Sequence, residues 1–198
     1  MKRVLCLILA LLLVFSLSAC KKQKEETPSD NTESTYDLVE CMKQGKLPEA
    51  EYLLGTDPEK IKTDYNYYGE NSSDEHSHDH EIYMRENPNS TNIVVGDYYY
   101  YFVNGQESKG ISSIVCFGTA FGTEVNGFET KDDIKKKFST VEFTEREISS
   151  LQAYFIPGEV ENCTALTCKT ENRRIDFVFM EETLIAINLV DTENWTLT

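Results

Sequence analysis

This chain of 198 residues has only three histidines, one tryptophan and 19 lysines and arginines to set against 34 carboxylates. The histidines sit together between residues 76 and 80, so a Ser–His or Cys–His catalytic pair would have to borrow an imidazole from that one stretch. No GxSxG, Walker, HExxH or GxGxxG pattern occurs, and the activities those motifs carry lose their sequence support. No two cysteines are spaced CxxC, which argues against a redox dithiol or a thiolate zinc site. With a formal charge of −15 the chain lacks the clustered cations that hold phosphate backbones, so nucleic acid is not an expected partner. Carboxylates are plentiful, but no motif singles out a glycosidase-like pair. The run Lys135-Lys136-Lys137 is most simply a solvated helix face. No enzymatic activity is expected.

Long apolar runs are also scarce. The longest, Val4 to about Leu17, follows Lys2 and Arg3 and ends in small residues before Cys20. It is too short and wrongly flanked for an ordinary membrane span and reads as a signal peptide over residues 1–19. The tetrapeptide Leu17-Ser18-Ala19-Cys20 resembles the lipobox of bacterial lipoproteins. That resemblance implies cleavage before Cys20 and a diacylglycerol thioether on its sulfur. Each buried methylene contributes roughly 0.8 kcal/mol, and two chains give a stable anchor. The expected location is the extracytoplasmic face of the cell membrane, attached through lipid.

Loss of Lys2 and Arg3 removes two cations and no carboxylate, taking the formal charge from −15 to −17. So acidic a domain is repelled by anionic headgroups, and its expected partners are proteins, cations or cationic surfaces. Residues 20–34 combine the lipidated cysteine with a stretch low in apolar residues and rich in charge, Ser, Thr and Pro, expected to be a disordered tether spanning on the order of 20 Å.

Of the six cysteines, Cys41, Cys116, Cys163 and Cys168 remain after the signal and the lipid site. An even number in an exported chain permits disulfides in three connectivities, and buried free thiols are the alternative. If NCTALTCKT is a strand, five steps of about 3.3 Å separate Cys163 from Cys168 by roughly 17 Å, too far for a bridge.

Periodicity indicates an α+β fold of two similar units, each a helix or helix pair packed on an antiparallel β-sheet. The first is expected over residues 35–125 and the second over 126–198. GTDPEKIKTDY offers Thr56 as N-cap, Pro58 in the first turn, and Ile61 and Tyr65 on one helical face. FETKDDIKKKF offers Thr130, Ile134 and Phe138 in the same plan, 73 residues later. DYYYYF and ISSIVCF read as strands about a turn containing Asn104-Gly105, and RIDFVF and LIAINLV repeat that layout about MEET. A further helix is expected over Tyr36–Gln44, capped by Thr35 and stopped by Gly45, and further strands over Glu147–Ile156 and Cys163–Lys169. Asn71–Asn92 reads as an acidic insertion between helix and first strand.

The segment GKLPEAEYLLGTDPEKIK, Gly45 to Lys62, resembles the opening of an uncharacterised domain family in exported proteins of Bacillus-type Gram-positive bacteria, where GKxP leads through a short extended piece to LGT and a helix. The "Gly-x-Pro" that normally follows each helix in that family is absent; Asn66-Tyr67-Tyr68-Gly69 and Ser139-Thr140 stand in its place. The repeated layout is similar to that of β-lactamase inhibitory protein and of the small lipoprotein of the outer-membrane barrel-assembly machinery. None of these resemblances implies catalysis, and the inhibitory protein implies a sheet that grips another protein.

Two stretches are candidate sites. In DEHSHDHE, His76, His78 and His80 alternate and would share one side of an extended segment, with Glu75 or Asp74 as a further donor for Zn²⁺ or another transition metal. No cofactor is required by any other feature; the ion this loop would take is Zn²⁺, with Cu²⁺ or Ni²⁺ as alternatives. In the strand Tyr98-Tyr99-Tyr100-Tyr101, one alternate set faces the core and the other is expected to offer a binding surface of large, rotamer-poor side chains.

Overall fold

Asp37 begins the first helix, α1 (Leu38–Gln44), by accepting hydrogen bonds from the backbone N–H of Val39 (2.8 Å) and Glu40 (3.3 Å). Thr35 does not cap it because its hydroxyl is committed to Glu124 at 2.6 Å. Gly45, at φ 71°, stops the helix as its sequence suggests. In this computed structural model the described residues are 33–65, 82–86, 90–117, 121, 124–148 and 163–195.

Helix α2 (Pro58–Asp64) starts one residue later than expected, on Asp57, which accepts from Glu59 N at 2.9 Å. The carbonyl of Thr56 is held instead by Ile111 N at 2.9 Å. Helix α3 (Lys131–Lys137) has the expected cap: Thr130 and Asp133 form a reciprocal capping box. All three helices are seven residues long, marginal alone in water, so their stability comes from packing. Leu38, Met42, Ile61, Ile134 and Phe138 supply the buried faces.

Among the described residues eight strands form one antiparallel sheet: β1 (Ile82–Glu86), β2 (Ser90–Val95), β3 (Tyr98–Val103), β4 (Ser113–Cys116), β5 (Thr144–Ile148), β6 (Cys163–Lys169), β7 (Arg173–Met180) and β8 (Thr183–Asp191). Their order is β1-β2-β3-β4-β8-β7-β6-β5, so two four-stranded meanders join where β4 pairs with β8. The fold is α+β with a sheet-dominated core, and Thr32–Thr198 forms one compact unit. The reading of residues 71–92 as a plain insertion is corrected: β1 and the first residues of β2 fall inside it, in register from Ile82 opposite Val95 to Glu86 opposite Thr91. Arg85, Glu86 and the Asn-Pro-Asn break hid that short edge hairpin.

Alternation along the strands gives the sheet two different faces. The face under the helices buries Ile93, Tyr100, Ile114, Phe177, Phe179 and Leu189 among others. Its centre is aromatic: Phe177 meets Phe138 at 5.6 Å between ring centroids, Phe121 at 6.1 Å and Phe143 at 6.0 Å. Burying each such side chain contributes about 1.5–3 kcal/mol, which outweighs the weak helix propensities. The second face carries Tyr101, Val115, Ala165, Val178, Val190 and Trp195. Arg173 clamps α1 to the sheet by donating from Nη1 to the carbonyls of Met42 (2.6 Å) and Lys43 (2.7 Å), placing a cation where the helix dipole is negative.

Candidate functional site

Strand β3 sends alternate tyrosines to opposite faces. Tyr98 and Tyr100 point under the Gly45–Thr56 segment. Tyr98 donates its hydroxyl to the Pro48 carbonyl at 2.7 Å, and the Tyr100 oxygen accepts from the N–H groups of Glu51 (2.9 Å) and Tyr52 (3.3 Å). Tyr52 stacks edge-on against Tyr100 at 5.6 Å and donates to Asp64 on α2 at 3.0 Å. Burial pushes the Tyr100 phenol up to about 12 against the two backbone donors that favour its charged form, and burial raises Tyr98 as well. These hydroxyls are structural fasteners for the Gly45–Lys62 segment.

The same geometry explains the Leu54-Gly55-Thr56 motif. Gly55 N donates to Ile111 O at 2.8 Å, and Ile111 N to Thr56 O at 2.9 Å, so the motif is hydrogen-bonded to the chain entering β4. Gly110 makes that contact possible: a Cβ built there would lie 2.4 Å from the Gly55 carbonyl oxygen.

On the second face Tyr101 is buried, with its ring 6.1 Å from Trp195, while Tyr99 is half-buried, stacked on Tyr101 at 6.5 Å and edge-on to Phe117 at 4.8 Å. The expected tyrosine binding surface is therefore corrected: Tyr98, Tyr100 and Tyr101 are buried, and Tyr99 alone of the four keeps part of its ring accessible. Both faces of β3 are covered because the Gly45–Thr56 segment packs on one and aromatic neighbours on the other.

The metal-ligand set His76, His78, His80, Glu75 and Asp74 lies outside the described residues, as does Cys20. Among the described residues no group of three or more His, Cys, Asp or Glu side chains is arranged to hold a metal ion, and no helix is long and apolar enough to cross a membrane. Cys41, Cys116, Cys163 and Cys168 are buried and form no disulfide, with Cys163 and Cys168 on opposite faces of β6. Burial pushes the thiols of Cys41 and Cys116 up to about 11 and that of Cys168 up to about 12, so none is a thiolate near neutral pH.

A polar row that sequence reasoning missed crosses the second face. Asp176 on β7 is fully buried; its Oδ1 accepts from Thr167 Oγ1 at 2.6 Å, and its Oδ2 from Arg146 Nη2 at 2.9 Å and Arg174 Nε at 2.8 Å. Arg146 also donates from Nε to Thr167 Oγ1 at 3.3 Å. On β8, directly opposite Asp176, Asn188 accepts from Ser113 Oγ at 2.6 Å. The period-two spacing of Arg174 and Asp176 was the one local signal that two charges share a face. In this arrangement two guanidinium groups and one hydroxyl hold the buried Asp176 carboxylate.

No family model matches the chain, and no curated protein matches it. Among solved structures it is similar to a DUF4309-family protein, YjgB, from Bacillus subtilis, with 15% identity over 78% of this chain and 93% of that one and a TM-score of 0.44.

Proposed function

We propose that this chain is a membrane-anchored extracytoplasmic lipoprotein whose folded part is a non-catalytic binding module. In this reading residues 1–19 are removed, Cys20 carries the lipid, and residues 20–34 tether two similar units, 35–125 and 126–198, to the outer face of the membrane. The two meanders joined at β4 and β8, each with a helix at an offset of 73 residues, support the duplicated plan. The observation that carries the binding role is Phe128, 94% exposed at the end of the loop before α3. Its turn is fixed: Phe128 N donates to Asn126 Oδ1 at 2.9 Å and Glu129 N to Asn126 O at 3.1 Å. An aromatic ring held in solvent by a rigid turn is a ready anchor for a protein partner. Burial keeps the four described thiols protonated near neutral pH, which disfavours cysteine-based catalysis among the described residues.

Assaying the chain in neutral detergent against broad hydrolase and transferase substrate panels tests this. No turnover is expected, and a reproducible turnover abolished by one point substitution would sink the reading. Mass spectrometry of the membrane fraction should find the diacylglycerol adduct on Cys20 and none in Cys20→Ala.

A second reading rests on the alternating imidazoles of His76, His78 and His80, which with Glu75 or Asp74 make a four-donor set suited to zinc. Calorimetric titration with Zn²⁺, repeated on the triple His→Ala variant, separates the two. Submicromolar binding lost in the variant promotes the metal role; no heat retires it.

A further inference from the structure

Lys169 and Arg174 lie directly opposite each other in the β6–β7 register, on the sheet face that also carries Thr167 and Asp176. Like charges placed across a strand pair repel, and this pair has no carboxylate between its members. Arg146 on neighbouring β5 adds a third cation, converging with Arg174 on the same oxygen of Asp176. Two of these cations meet one buried carboxylate, and Lys169 adds a third positive charge across the strand pair, on a chain whose formal charge is −15.

The donors are only partly used. Arg174 gives its Nε to Asp176, while its two terminal amino groups and Lys169 Nζ make no hydrogen bond to the described residues. The Arg146 and Arg174 side chains are 38% and 23% exposed, and Lys169 is exposed, so all three reach solvent from the rim of a buried anion. Beside them Asn188, 1% exposed, has one end of its amide on Ser113 and the other without a partner. An orphaned buried amide next to unused guanidinium donors marks a place where a further polar group belongs.

We propose that this face, across β5 to β8, binds a phosphate-type oxyanion, with Arg174 Nη and Lys169 Nζ as direct donors and Arg146 and Asp176 holding them in place. A phosphate or phosphomonoester offers three oxygens to two adjacent cationic side chains where a carboxylate offers two, and guanidinium forks suit those oxygens. The site rests on the reading of the chain as a binding module and fails separately from it, since catalytic turnover would overturn the module and a silent phosphate titration only this site.

Titrating the full chain in neutral detergent at low salt with inorganic phosphate, glycerol 3-phosphate and acetate tests it. Phosphate should bind, more tightly as the pH rises through about 6–7 and its second proton leaves, and acetate should not. Tighter binding of glycerol 3-phosphate than of inorganic phosphate identifies an ester, such as a lipid headgroup, as the source; the reverse identifies the free ion. Lys169→Gln and Arg174→Gln should each weaken binding about 10-fold, with Arg174→Lys recovering part of the loss. Lys169 is exposed, so its variant tests the site even if Arg174→Gln fails to fold. No phosphate binding by the parent chain, equal binding of acetate, or unchanged affinity in Lys169→Gln would overturn the assignment.

Discussion

Replacing Gly110 by alanine should be among the most damaging single-atom-scale changes available to this protein. Gly110 has φ 74° and ψ −162°, a region open almost only to glycine, where an L-residue costs about 1–3 kcal/mol. The added Cβ would also lie 2.4 Å from Gly55 O, 2.5 Å from Gly55 C and 2.8 Å from Thr56 O. All three are backbone atoms that no rotamer change can move aside. Separation of the two segments would stretch the bonds Gly55 N to Ile111 O (2.8 Å) and Ile111 N to Thr56 O (2.9 Å), each worth about 0.5–1.5 kcal/mol net. Together these give a loss of about 2–6 kcal/mol, a large share of the 5–15 kcal/mol that usually holds a domain folded.

Urea denaturation followed by circular dichroism measures the loss, and Gly105→Ala supplies the control. Gly105 has φ 78° but no heavy atom within 4 Å of its built Cβ, so that variant reports backbone conformation without collision. The difference between the two losses reports the close approach of the Leu54-Gly55-Thr56 motif together with the ψ of −162° at Gly110. Equal destabilisation in both variants would refute the idea that the motif's glycine exists to let two backbones meet.

Three further outcomes are expected. Asp176→Asn strands two guanidiniums around a neutral buried amide and should cost about 2–4 kcal/mol in thermal or urea unfolding, the partial exposure of both arginines limiting the loss. Thr130→Ala removes one arm of the capping box on α3 and should cost about 1 kcal/mol, with Thr130→Ser close to neutral in the same assay. Alkaline pH should weaken the fold: Cys41, Cys116 and Cys168 hold their protons to about 11–12 when folded but release them near 9 when unfolded, so the unfolded state binds fewer protons and stability falls as pH rises above about 9. Urea midpoints measured from pH 7 upward check this, and a Cys168→Ala variant should show a shallower decline.

How much of this was legible beforehand depended on whether a residue's role was local. The Thr130 cap, the Gly45 stop and the β7–β8 hairpin were readable because cap chemistry and alternation act within a few residues. The caps of α1 and α2 shifted by one or two residues because long-range partners intervened. Thr35 is taken by Glu124, and the Thr56 carbonyl by Ile111. β1 was lost to its charged residues, which suit an edge strand and mimic a loop. The tyrosine strand was found, but its exposure was misjudged, since period two says that faces alternate and not whether the second is covered. Asp176 and its partners left only the period-two spacing of 174 and 176 as a local signal, because the group is drawn from three segments: 146, 167 and 174–176.

That division points to where binding should be sought. Among the described residues the helices lie on one side of the sheet, and that side is dense with aromatic and aliphatic contacts. A ligand there would have to displace packing worth several kcal/mol per ring. The other side keeps its apolar residues beside Trp195 and places polar ones in one cross-strand row from Ser113 to Arg146, where a ligand displaces water and meets preformed donors. Substitutions on the helix face should therefore lower stability and ligand affinity together. Substitutions at Lys169 should lower affinity alone, and a stability loss at Lys169 as large as at Phe177 would contradict the assignment of the two faces.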